Sequence, residues 1–119
     1  PGLVAAAEAK LRGEAVDPAI VAQTLSSMRA MEGGERIDTL VLACTHFPLL
    51  ADELSGAFGP QVSLIDVADG IARRIASLTQ GQPFGRTRPD TALFTRAEAG
   101  LSALKPALAA RGLDRVEVL

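Results

Sequence analysis

Three residues with reactive side chains, Cys44, Thr45 and His46, follow one another in the middle of the chain, and the cysteine and the histidine are the only ones it contains. A thiol beside an imidazole could act as a nucleophile or exchange protons with a substrate. A hydroxyl among free backbone N–H groups could hold a carboxylate. The ordinary alternatives are a small buried thiol, a loop imidazole satisfied by hydrogen bonds and a helix-capping threonine.

The segments on either side predict where these residues lie. Leu40, Val41 and Leu42 form a short apolar run, typical of a strand buried on both faces of a parallel sheet. Pro48 favours the first turn of a helix over residues 48–58. The reactive residues should therefore lie in a loop at the carboxyl end of a strand, where ligands bind in open α/β sheets. A helix starting just after the thiol would also favour its thiolate form.

The remaining elements follow from periodicity and from breaker residues. Asp17 is a plausible N-cap before Pro18, Asp66 or Asp69 could cap a later helix, and Pro106 should kink or split the last one. Helices are predicted over residues 1–9, 18–31, 48–58, 69–78 and 98–110, and strands over residues 37–42, 62–66, 91–95 and 115–119. Strands that alternate with helices predict an α/β fold with parallel strands.

Composition narrows the classes of partner. The chain has 119 residues, a net charge of −2, four Phe, and no Trp or Tyr, so nucleic acid is not expected. No apolar run approaches the ~20 residues of a membrane span, and a single Cys fits the reducing cytoplasm. One Cys and one His are too few for a typical structural zinc site. Lys10 and Lys105 lie on helix surfaces by pattern, so no lysine is placed for a pyridoxal phosphate Schiff base.

The run LACTHFPLL at residues 42–50 resembles the second cysteine motif of glutamate racemases, in the aspartate/glutamate racemase superfamily. Related aspartate racemases usually have Glu where this chain has His46, which favours the glutamate branch. Ala43 stands where Gly is common, and Phe47 where Tyr is common. The resemblance covers nearly the whole chain, but only the C-terminal portion of the longer family proteins.

The resemblance implies a fold of two α/β lobes with parallel sheets. Residues 1–65 would form the rest of the second lobe, with the Cys-Thr-His motif, and residues 66–119 would return to the first. An N-terminal half would be the missing partner, and Pro1 would follow a cysteine absent from this chain. Residues 1–119 should therefore be inactive alone. The strand faces of Leu40 to Leu42 and of Leu93 and Phe94 should lack part of the protein surface that would cover them.

The implied activity is interconversion of L- and D-glutamate without a cofactor or metal, supplying D-glutamate for peptidoglycan in the cytoplasm. Two cysteines would face each other across the substrate, with Cys44 as one of them. His46 and Glu8 would be catalytic, and Thr45 would bind substrate. By composition alone, Glu8 is an ordinary solvated helix residue. A homodimer is one option for assembly.

Two readings from other classes stay open on the residues themselves. A Cys-His hydrolase or transferase would use Cys44 as a nucleophile, whereas a non-catalytic α/β binding domain would use it for packing. Asp66 resembles an aspartate of a family segment in which Ser commonly follows. Because Val67 stands there in this chain, Asp66 is interpreted as a helix cap.

Overall fold

The computed structural model describes residues 2–85 and 87–119, in which helices alternate with strands. The elements are α1 (Gly2–Leu11), α2 (Pro18–Arg29), β1 (Thr39–Leu42), α3 (Ala51–Phe58), β2 (Ser63–Asp66), α4 (Ala68–Leu78), β3 (Thr91–Phe94), α5 (Leu101–Ala109) and β4 (Arg115–Val118). Short 3₁₀ turns occupy Gly34–Arg36 and Phe47–Leu50. The predicted α/β class is confirmed. The prediction made for Pro1 lies outside the described residues.

The four strands form two separate parallel pairs. β1 pairs with β2 so that Leu42 lies opposite Asp66, and β3 pairs with β4 so that Phe94 lies opposite Val118. Parallel pairing confirms the prediction from the alternating elements, because parallel neighbours need a crossover such as α3 or α5. The loops after β1 and β2 therefore leave the same edge of one sheet.

The core of the described chain is formed by α1, α2, β1, α3 and the start of β2. Its buried apolar side chains are Ala6, Ala7, Val21, Leu40, Leu42, Leu50, Leu54, Phe58 and Val62. β1 is not buried on both faces, because Val41, between two buried leucines, is 59% exposed. This agrees with the expectation that the strand faces of Leu40 to Leu42 lack part of their cover in residues 1–119. Alternate β1 side chains point to opposite faces, and only one face is covered. Leu93 of β3 is likewise exposed, as expected for strand faces without full cover.

Local chemistry accounts for how several helices begin. The Asp17 carboxylate accepts a hydrogen bond from the Ala19 N–H at 2.9 Å, which confirms the predicted N-cap before Pro18. The Asp66 carboxylate accepts one from the Ala68 N–H at 2.8 Å, so Asp66 does help to start α4. Pro106 lies inside α5 without dividing it. The observed helix, Leu101–Ala109, is shorter than the one predicted over residues 98–110.

The helix predicted from residue 48 needs a correction. Residues Phe47–Leu50 form a 3₁₀ turn, and α3 itself begins only at Ala51. The Phe47 N–H donates to the Cys44 carbonyl at 3.1 Å, and the Leu49 N–H donates to the His46 carbonyl at 3.1 Å. These bonds to the third residue back tighten the turn. The α-helix therefore does not begin directly after Cys44. The predicted stabilisation of a Cys44 thiolate by the N-terminus of a helix is not supported by this geometry.

The elements after β2 pack much more loosely. Neither α4 nor α5 contains a buried residue, and Ile71, Ile75 and Leu78 of α4 are all exposed although they share one helical face. In the described part of the chain, no helix is both long enough and apolar enough to cross a membrane. The division into lobes at residues 65 and 66 stays a prediction.

Candidate active site

The candidate site is the loop that leaves the carboxyl end of β1. The strand ends at Leu42, and the Ala43 N–H donates to the Val41 carbonyl at 3.0 Å, which turns the chain. The 3₁₀ turn then directs the chain into α3, and the fully buried Leu50 anchors it in the core. Cys44 and His46 are thus presented from a loop with a fixed start and a fixed end.

Within the loop, the thiol and the imidazole are in contact. Cys44 Sγ lies 3.8 Å from His46 Nδ1, within reach of a sulfur hydrogen bond, and both residues are half-buried. Whether the ring nitrogen donates or accepts depends on the imidazole tautomer. With the proton on Nε2, Nδ1 can accept the thiol proton, and a protonated ring can return it.

Glu8 of α1 approaches the other side of the same imidazole. Its Oε1 lies 3.5 Å from His46 Nε2, and the His46 side chain is 34% exposed. A carboxylate at this nitrogen favours the tautomer that has its proton there, which leaves Nδ1 free to accept the proton of Cys44. The structure therefore brings Glu8, His46 and Cys44 into one row of contacts, although they come from a helix and a loop about 36 residues apart in sequence.

The position of α1 against the loop explains this meeting. α1 packs on the 3₁₀ turn, and the Lys10 ammonium donates a hydrogen bond to Glu53 of α3 at 2.7 Å. Partial burial alone would raise the pKa of the Glu53 carboxyl, but the hydrogen bonds it accepts and the charge of Lys10 outweigh burial and lower this pKa below its ordinary value. This ion pair and the apolar contacts beneath it hold Glu8 on the side of His46.

Thr45 lies between Cys44 and His46 in the loop. It is exposed and lines a cavity of about 330 Å³ between the loop and α5, together with Leu49, Leu104 and Arg111. Glu8, His46 and Cys44 are not among the residues that line this cavity. The structure thus joins three of the four predicted site residues in contacts and shows the fourth exposed beside them in the loop.

One residue in contact with the site was not singled out by the sequence. Arg12 Nη1 lies 4.0 Å from Glu8 Oε2, one helical turn along α1. The spacing of an acidic residue and an arginine four positions apart was the available signal, but such pairs are common on solvated helices. In the residues that the structure covers, no cluster of three or more His, Cys, Asp or Glu side chains could hold a metal ion.

No protein-family model matches this chain. It is 49% identical over 120 residues to a glutamate racemase of Sphingopyxis alaskensis, which covers 100% of this chain and 45% of that protein. A glutamate racemase of Vibrio vulnificus is 35% identical over 117 residues, covering 98% of this chain and 43% of the relative.

A solved structure is similar as well. The Escherichia coli glutamate racemase, in complex with L-glutamate and the activator UDP-MurNAc-Ala, matches with a TM-score of 0.86 and 35% identity. The match covers 98% of this chain and 44% of that one, so the chain spans less than half the length of the relatives it matches. By sequence and by fold, the chain is therefore a homologue of the C-terminal portion of glutamate racemases.

Proposed function

We propose that residues 1–119 belong to a longer glutamate racemase that interconverts L- and D-glutamate without a cofactor. The observation that carries this proposal is the row of contacts from Cys44 Sγ through His46 to Glu8, at 3.8 and 3.5 Å. Over the whole of residues 1–119, the chain is 49% identical to a glutamate racemase, of which it covers 45%. This row is a device for moving a proton to and from a thiol.

The reaction needs such a device because the α proton of an amino acid is very weakly acidic. A thiolate on one face takes this proton and becomes a thiol, and the carbanion left behind takes a proton from a thiol on the opposite face. In one direction Cys44 is the base, and in the other direction it is the acid. His46 would hold Cys44 in the required state, and Glu8 would stabilise the charge that develops on the imidazole.

The second thiol would lie in an N-terminal half that precedes these residues. Residues 1–65 would complete one lobe and residues 66–119 would return to the other. The two separate sheets and the uncovered faces of Val41 and Leu93 are consistent with this division. Thr45 and the backbone N–H groups near it would bind a substrate carboxylate between the lobes. The D-glutamate formed would serve peptidoglycan synthesis in the cytoplasm.

The central test is Cys44→Ser in the full-length protein. Serine is nearly isosteric but far less acidic, so we expect turnover to fall by about 10³-fold or more, with little change in the melting temperature. Turnover is followed by the circular dichroism of glutamate, and Ser55→Ala on the exposed side of α3 is the control. Near-wild-type turnover in a folded Cys44→Ser variant would contradict the proposal.

A second test addresses His46. We expect His46→Asn to lower kcat by about 10²-fold, and to lower it unequally in the two directions, because only one face of the substrate uses Cys44. The ratio of kcat/KM values for the two directions must stay at the equilibrium constant, so the asymmetry appears in kcat and KM separately. Unaltered kinetics in both directions would leave His46 as a structural loop residue.

The same contacts favour one alternative function. Cysteine hydrolases and transferases also use a cysteine in contact with a histidine, which in turn contacts a carboxylate. The Cys44 thiolate would then attack the carbonyl of an activated ester, the ester C–O bond would break, and the alcohol would leave with a proton from His46. The thioester on Cys44 is detected by intact-mass spectrometry, and water would hydrolyse it to the free acid and the thiol. Turnover of such an adduct without racemisation would favour the hydrolase. Retention of ligand binding in Cys44→Ser, with no activity in either protein, would favour a binding domain.

A further inference from the structure

We propose that Arg12 is a positioning residue that holds the Glu8 carboxylate against His46. This inference rests on the proposed racemase function, and it concerns a residue that touches none of the reacting atoms. It assigns to Arg12 a role in proton transfer at Cys44 through two intermediate side chains.

The two oxygens of Glu8 are divided between two partners. Oε1 lies 3.5 Å from His46 Nε2, and Oε2 lies 4.0 Å from Arg12 Nη1. The guanidinium is held in turn by Glu14, whose Oε1 accepts a hydrogen bond from Arg12 Nε at 3.0 Å. Because Nε is committed to Glu14, the outer end of the planar group can face Glu8. Charges of alternating sign thus run from Glu14 through Arg12 to Glu8, which lies beside His46.

The stem of Arg12 is also restrained. A Cβ atom added at Gly100 would lie 3.5 Å from Arg12 Cδ, so the arginine passes close to the backbone between β3 and α5. Arg12 also lines a small cavity of about 70 Å³ with Phe94 and Leu101, and its side chain is only 32% exposed. Arg36, in contrast, lies outside this cavity, pairs with its neighbour Glu35 and is 79% exposed.

Glu8 needs such a partner because half of its side chain is in water. A glutamate at an exposed helical position samples several rotamers, and only some of them bring its carboxylate to His46. A cation fixed on the far side of the carboxylate restricts these rotamers. Without it, the carboxylate would spend more time in solvent, and the imidazole would lose its anionic partner for part of the time.

The experiment is a double-mutant cycle in the full-length protein with Arg12→Gln, Glu8→Gln and the variant carrying both. We expect Arg12→Gln to lower kcat about three- to fivefold with little change in KM, because the restrained pair is modest in strength. Once Glu8 is neutral, Arg12→Gln should cause no further loss. Arg12→Lys, which keeps the charge, should restore part of the lost kcat. Arg36→Gln is the matched control and should leave kcat unchanged.

The outcomes separate this inference from the proposed function. Independent, additive losses in the cycle, or an unchanged kcat in Arg12→Gln, would overturn the role of Arg12. An unchanged kcat in Glu8→Gln would overturn it too, while loss of activity in Cys44→Ser would keep the racemase function. If Arg12→Gln does not fold, Glu14→Gln replaces it, since a freed guanidinium should lower kcat in the same direction and an unchanged kcat would overturn the role.

Discussion

Residues 2–66 and residues 67–119 contain the same kinds of element, yet they bury very different amounts of apolar surface. All the buried apolar side chains of the described chain lie between residues 6 and 62, around Leu50 and Phe58. In the later region, the apolar face of α4 is open, and Ile75 at its centre is 56% exposed. The row of contacts between Glu8, His46 and Cys44 belongs entirely to the packed region.

This difference shows that amphipathic patterning and packing are separate matters. The face of α4 formed by Ile71, Ile75 and Leu78 has the spacing of a helix that packs on a core. Exposed apolar faces of this kind favour contact with further protein surface. In the proposed full-length enzyme, the N-terminal half would supply that surface. The packed region, in contrast, already holds Glu8, His46 and Cys44 in place.

The largest expected effect contrasts a core residue with an α4 residue. In residues 1–119 at low concentration, Phe58→Ala should lower the free energy of unfolding by about 3–5 kcal/mol, because it leaves a cavity in a closed core. Ile75→Ala should change it by less than about 0.5 kcal/mol, since that side chain is largely in water. Denaturant unfolding followed by far-UV circular dichroism measures both. Equal losses would contradict the contrast.

A second effect follows from the open faces. We expect residues 1–119 alone to self-associate as concentration rises and to show no racemase activity. Replacing Ile71 and Ile75 together by Gln should reduce this association, while the same change at the surface residues Ala72 and Ser77 should not. Light scattering and a glutamate assay provide the measurements. A monomer that stays monodisperse as concentration rises and melts as one unit, with residues 67–119 included, would refute the two-lobe division, and racemisation by it would refute the two-thiol mechanism.

The smallest expected effect concerns Glu53, which forms an ion pair with Lys10 in the packed region. Its pKa is lower in the folded chain than the ordinary value of 4.5, so its ion pair with Lys10 stabilises the fold above that pH. The stabilisation is lost as the pH falls below about 4.5 through the folded pKa. We expect Glu53→Gln to cost about 0.2–1 kcal/mol at neutral pH and almost nothing at the acidic end.

The control for this effect is Glu35→Gln. Glu35 pairs with its neighbour Arg36 at 3.1 Å, but both side chains are largely exposed, so the substitution should leave stability nearly unchanged at every pH. Melting temperatures of both variants and of the parent protein across the acidic range give the comparison. A pH-independent difference between Glu53→Gln and the parent would show that the ion pair is not its cause.

Local signals in the sequence were sufficient for much of the fold. The Asp17 cap before Pro18, the alternation of strands with helices, and the reactive loop after β1 all depend on residues near each other in the chain. Such features could be predicted because hydrogen bonding and periodicity act over a few positions. The 3₁₀ turn at Phe47–Leu50 was not predicted, since Pro48 suits the start of either kind of helix.

Contacts between distant segments needed the tertiary structure. The sequence by itself determined the class of fold, the loop with Cys44 and His46, and the resemblance that singled out Glu8. Only the packing of α1 on the 3₁₀ turn placed Glu8 beside His46, and only the packed core showed that the open face of β1 is the one with Val41. Both depend on how elements far apart in the chain meet, which the spacing of residues along one element does not contain.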